Sequence, residues 1–227
     1  MIEAVLAIAV FLGLPVAVPA TPEPRVEVWA GHQVLAGKRK VPLYGDKDTH
    51  IENYLVAEVH RSHGHIEFIQ KICWMDISPI KNVHASVKTE TVLRMPKSRF
   101  SLEEKPDGSL TGPPWRSGWG DEDLDGDGHP GATVQISGSS CSGEIYVSNQ
   151  STSTLTSGQA SDDGMTGQLS VRTQQRILGA SGFCLKLVAG DSDEAQTGWV
   201  AYRRVRPDDS CRTLSGKPWP VKAQGAK

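Results

Sequence analysis

Five carboxylates fall within seven residues of this chain, Asp121-Glu122-Asp123-Leu124-Asp125-Gly126-Asp127, with Gly128-His129-Pro130-Gly131 directly after them and no Lys or Arg among them. Left alone, such a run repels itself, so it is stable only when solvated or neutralised. Calcium takes about six to eight oxygen ligands at roughly 2.3–2.6 Å, and alternate carboxylates on a curling backbone offer such oxygens. Glycine lets that backbone turn sharply. The candidate ligands are Asp121, Asp123, Asp125 and Asp127, with Ca2+ as the ion. Carboxylates from elsewhere, such as Glu144 or Asp162-Asp163, are candidates to complete the set. The competing reading is a solvated acidic connection that binds nothing specifically.

The pattern D-x-D-x-D-G occurs in two overlapping registers, Asp121/Asp123/Asp125 with Gly126 and Asp123/Asp125/Asp127 with Gly128. It resembles the calcium loops of EF-hands, dockerins and thrombospondin type 3 repeats over about a dozen residues. The resemblance implies calcium coordination. The chain departs from the EF-hand where the bidentate Glu of loop position twelve is due, since Ala132 or Val134 stands there. A site without that ligand is expected to be weak, on the order of 10⁻⁴–10⁻³ M. The chain as a whole also resembles exported bacterial proteins that carry a DGDGxPG loop before a strand.

Four cysteines, Cys73, Cys141, Cys184 and Cys211, form no C-x-x-C pair. An even count favours two disulfides in an oxidising compartment, and four cysteines allow three connectivities. The preferred pairing is Cys141–Cys184 with Cys73–Cys211. Residues 1–20 are almost continuously apolar from Ala4 to Val18 and end in Val18-Pro19-Ala20, so a signal peptide cleaved after Ala20 is expected. The first residues, Met1-Ile2-Glu3, lack the positive charge usual there. Export to the periplasm, cell surface or medium follows, with no membrane span in the mature chain.

Other reactive residues are weaker signals. His60, His63 and His65 cluster near a turn, without a Cys or carboxylate at ligand spacing. Ser139-Ser140-Cys141-Ser142-Gly143 does not match G-x-S-x-G. No catalytic constellation emerges, and the chain is not expected to be an enzyme. A net charge of −2 gives no pull toward nucleic acid.

The elements that must carry the acidic loop are strands. Arg25–Leu35 and Lys38–Tyr44 read as strands, Tyr54–Met75 as a hairpin about Arg61-Ser62-His63-Gly64, and Ala85–Val92 as a further strand. After Gly131, strand signals recur over residues 133–137, 143–148, 167–173, 180–188 and 198–205. No window of twelve residues shows helical periodicity. The expectation is an all-β antiparallel meander of about eleven strands, closed as a barrel or folded as a sandwich. It occupies residues 21–206 as one domain, with a long acidic loop insertion at 104–131 between two strand-rich halves and a C-terminal coil at 207–227. Trp29 near the first strand and Arg203 or Arg204 on the last weakly resemble the Trp and basic residue of lipocalins. That resemblance implies a barrel holding a small apolar ligand. The expected function is therefore an exported calcium-binding structural or binding module, with a lipocalin-like carrier as the alternative.

Overall fold

Alternation of apolar and polar side chains, with turns at Gly and Asp, drives the chain into strands that pair antiparallel throughout. The computed structural model describes residues 25–41, 45–138 and 141–226. The apolar leader and its cleavage point lie outside the described residues. The strands are β1 (Arg25–Val41), β2 (Gly45–Ser62), β3 (His65–Ile77), β4 (His84–Val87), β5 (Ser98–Glu104), β6 (Leu110–Thr111), β7 (Trp115–Trp119), β8 (Ala132–Ser137), β9 (Gly143–Ser161), β10 (Gly164–Ala180) and β11 (Ser192–Arg204). Three short helices accompany them: α1 (Thr89–Arg94), α2 (Phe183–Val188) and α3 (Cys211–Leu214).

All eleven strands form one sheet in the order β4-β8-β9-β10-β11-β1-β2-β3-β5-β6, with β7 paired to β9 off that path. Long strands twist, and here the twist curls the sheet into a half-barrel. Its β6 end approaches β9 where Ser109 bridges Gln159 and the Ala160 N–H donates to the Gly108 carbonyl at 2.8 Å. The fold is thus all-β, as the alternation predicts.

The inner face is filled by side chains. Trp29, Phe68, Phe100 and Trp115, from β1, β3, β5 and β7, run across it as a column. Trp29 meets Phe68 edge-on at 5.8 Å, Phe68 stacks on Phe100 at 4.7 Å, and Phe100 stacks on Trp115 at 4.3 Å. Offset and edge-on pairs of this kind add about 0.5–1.5 kcal/mol each beyond their burial. The space left beside the column, near Gln33, Gln70 and Tyr202, is about 10 Å³. Across from Trp29 stands Arg204, which reaches Glu27 at 3.3 Å, while the Trp29 indole donates to Glu27 at 2.7 Å. The guanidinium over the Trp29 ring is that of Arg61, 5.8 Å from its centroid, rather than Arg203 or Arg204.

Both disulfides form in the preferred pairing, Cys73–Cys211 and Cys141–Cys184. Cys73 is the extra residue of a bulge: Tyr54 pairs with Trp74 and Leu55 with Ile72, which leaves Cys73 without a partner on β2. A bulge re-aims one side chain out of the alternation. Here that side chain anchors the C-terminal segment.

Four sequence expectations are corrected. The strand expected over Ala85–Val92 stops at Val87, and residues 89–94 form α1, with Glu90 in its first turn and Arg94 in its last. The strand expected over residues 180–188 ends at Ala180, and residues 183–188 form α2. Both helices are six residues long, too short to show a helical period. The two strands expected over Arg25–Leu35 and Lys38–Tyr44 are one continuous β1, paired to β2 as far as Val41, and residues 42–44 lie outside the described residues. The stretch 104–131, expected as a loop insertion, is not loop throughout, because it contains β6 and β7.

Candidate metal centre

β7 and β8 lie end to end along one edge of β9. Trp119 pairs with Asn149 and Ala132 pairs with Val147. The acidic loop, residues 120–131, therefore leaves the sheet and returns to it on either side of the single position opposite Ser148. It is a compact excursion with adjoining ends, the form of an Ω-loop. Gly131 makes the return possible: its φ is +74° and a Cβ there would strike the Val147 carbonyl. The Gly131 N–H donates back to the Asp121 and Glu122 carbonyls at 3.2 and 3.1 Å. Leu124, whose N–H donates to the Gly131 carbonyl at 2.9 Å, packs against the cluster of Ala132, Val134, Ile145 and Val147.

Within this frame the structure brings together Asp123, Asp125 and Asp127, each offering a carboxylate oxygen within 4.8 Å of the others. They belong to the second D-x-D-x-D-G register, and Gly128 at its end has a φ of +87°. Asp121 stands outside the group and faces Arg176 at 4.0 Å. Glu144 and Asp162-Asp163 also fall outside it; the latter pair occupies the turn at the far end of β9, roughly 40 Å along a strand that rises about 3.3 Å per residue.

The three carboxylates have different local duties. Asp123 shapes the loop: one oxygen accepts the N–H groups of Gly126 at 2.7 Å and Asp127 at 3.3 Å, and the other accepts that of Gly128 at 2.9 Å. These bonds, led by that from Gly128, hold its carboxyl below the ordinary value. Asp127 accepts the His129 N–H at 2.9 Å and the Thr133 hydroxyl at 2.6 Å. The His129 ring in turn stacks on Tyr146 at 4.0 Å. Asp125 turns inward, where Oδ2 accepts the Thr133 N–H at 3.0 Å and the Thr91 hydroxyl at 3.1 Å. Its Oδ1 is buried and accepts no hydrogen bond. Arg94 donates to the Asp125 carbonyl at 2.6 Å, so the loop is gripped by α1 through two residues.

A scan against protein-family models finds no match, and a search of curated proteins finds no relative.

The chemistry of the centre therefore rests on its own residues. Its donors are all oxygens, which suits a hard cation such as Ca2+ and not a thiolate- or imidazole-seeking metal. The hairpin histidines gather no second centre: His60 bonds Glu58 at 2.7 Å and His65 bonds Glu103 at 2.8 Å. Thr91, Arg94 and Thr133 escaped the sequence reading. Thr133 follows the loop closely enough to be suspected, whereas Thr91 lies 34 residues before its partner and only the fold brings it there.

Proposed function

We propose that this is an exported β protein whose acidic loop binds calcium, and that it serves as a structural or binding module rather than a catalyst. The observation that carries the reading is Asp125 Oδ1, a buried carboxylate oxygen with no hydrogen-bond partner amid two further carboxylates. An unpaired buried acceptor costs about 1–3 kcal/mol, more when charged, and a cation would remove that cost. Asp123, Asp125 and Asp127 would hold the ion, which would neutralise the loop's own repulsion. Two disulfides support a protein matured in an oxidising compartment. A carrier would need a cavity of roughly 300 Å³ or more. The inner space of about 10 Å³ has room for about one water, which favours the filled-core reading.

The test is calorimetry and thermal melting with calcium. Heat of binding at millimolar calcium or below, a melt raised by calcium and restored by chelator, and a weaker response to Mg2+ are expected. A melt indifferent to several millimolar calcium, with no binding heat, would overturn the reading and leave a solvated loop.

A further inference from the structure

The segment after β11 crosses the outer face of the sheet as a strap. It is tied at its root by Cys73–Cys211, and at its end Val221, Ala223 and Ala226 pack on Val34, Ala201 and Trp199. Beneath it lies a ladder of rings from three adjacent strands, set by register: His32 opposite Tyr54, and Tyr54 opposite Trp74. His32 stacks on Tyr54 at 4.6 Å and Tyr54 on Trp74 at 4.7 Å, while Trp219 of the strap meets Tyr54 and Trp74 edge-on. The Trp219 indole donates to the Gly31 carbonyl at 2.9 Å.

His32 is 1% exposed, and both of its ring nitrogens are engaged. Nε2 faces Glu52 Oε2 at 3.1 Å, and Nδ1 faces the backbone N–H of Ala223 at 3.1 Å. A backbone N–H only donates, so Nδ1 must carry a lone pair, and the proton sits on Nε2. A second proton would set one N–H against another and remove the strap's bond.

We propose that the strap, residues 207–226, is a pH-released cover, docked through the unprotonated Nδ1 of His32 and freed when that nitrogen takes a proton. The groups facing His32 come from every element around it. From β2 come Glu52, which favours the protonated ring, and Tyr54; His50 shares Glu52 at 3.0 Å. From β3 comes Asp76, which also favours it, and from the strap comes Lys222, which opposes it. β11 places only Ala201 opposite His32. Tyr54 stays neutral, its hydroxyl pushed up to about 12 by burial and by Glu52 and Asp76. Burial is the largest effect on His32 and lowers it below the ordinary value of 6.5. Above the pH at which the uncovered ring takes a proton, both docked and free straps carry a neutral ring and docking is at full strength, since burial favours the neutral form. Below it the free form takes the proton first, and docking weakens by up to about tenfold per pH unit until the docked ring also titrates. The disulfide keeps the root in place, so release uncovers the Tyr54–Trp74 face without unfolding the sheet.

The experiment is amide exchange by NMR from pH 8 to pH 5, expressed as protection factors, on the full oxidised chain. Protection at Ala223 should fall by up to about tenfold per pH unit as the pH drops below the titration of the uncovered ring, while Leu169 in β10 stays constant. His32→Gln should abolish the pH dependence, and His50→Gln should retain it. If His32→Gln fails to fold, the imidazole nitrogen shifts of the wild type decide: Nδ1 of His32 must titrate together with the loss of Ala223 protection. Flat protection at Ala223, a pH response that survives His32→Gln, or a response that follows the titration of His50 would each overturn the proposal.

Discussion

Thr91, itself 1% exposed, donates its hydroxyl to Asp125 Oδ2 at 3.1 Å and so joins α1 to the acidic loop. Replacing it by Val keeps the volume and removes the donor. Thr91→Val should destabilise the fold by about 1–3 kcal/mol, because a buried carboxylate loses a partner. It should also weaken calcium binding if Asp125 is a ligand. Urea titrations and calorimetry read the two effects separately.

Asp121 and Asp125 should behave differently. Asp125→Ala is expected to abolish the calcium response of the melt, and Asp123→Ala to do the same by collapsing the loop. Asp121→Ala should leave most of it, since that side chain faces Arg176 outside the cluster. Calcium at ten times Kd should stabilise the wild type by roughly 1.4 kcal/mol. Equal loss in all three variants would place Asp121 in the centre after all.

Acid should act on Asp123 only far below neutrality. The folded Asp123 carboxyl lies below its ordinary value of 3.8, held there first by the Gly128 N–H. Its contribution is therefore complete above pH 3.8 and is lost as pH falls through the lower, folded value. NMR titration of the Asp123 carboxyl carbon should show its midpoint below that of Asp in an unfolded peptide.

The two disulfides should differ in worth. They span 138 and 43 residues. On the chain-entropy estimate the bonds contribute about 5 and about 4 kcal/mol respectively. Cys73→Ser with Cys211→Ser should thus cost more than Cys141→Ser with Cys184→Ser, as denaturant midpoints would show.

Phe68 lies between Trp29, which meets it edge-on, and Phe100, on which it stacks, at 0% exposure. Phe68→Ala should cost about 3–5 kcal/mol. A loss below about 1 kcal/mol would mean that the inner column is not the main core.

What could be read without coordinates was what is local. The hairpin between β2 and β3 turns at His63-Gly64, where φ is positive at both residues, as the Gly among polar residues suggests. The alternation of Leu55, Ala57 and Val59 does place all three in the core. The acidic trio was visible because its members are two residues apart. What remained hidden depends on distant partners. Residues 207–226 look like coil, and coil in large part they are, yet Trp219 and Ala223 are held by Gly31 and His32 from the first strand. Trp115-Arg116-Ser117-Gly118-Trp119 lacks a strand's alternation, and it is a strand only because β9 offers it an edge.

The end-to-end placement of β7 and β8 makes the acidic segment an interchangeable part. A continuous strand would fill the gap opposite Ser148 with one residue, so residues 120–131 can lengthen, shorten or be exchanged during evolution without shifting the register on either side. The same junction offers a graft point, at which a foreign binding loop or a small domain with adjoining termini could be carried while β9 keeps both of its neighbours.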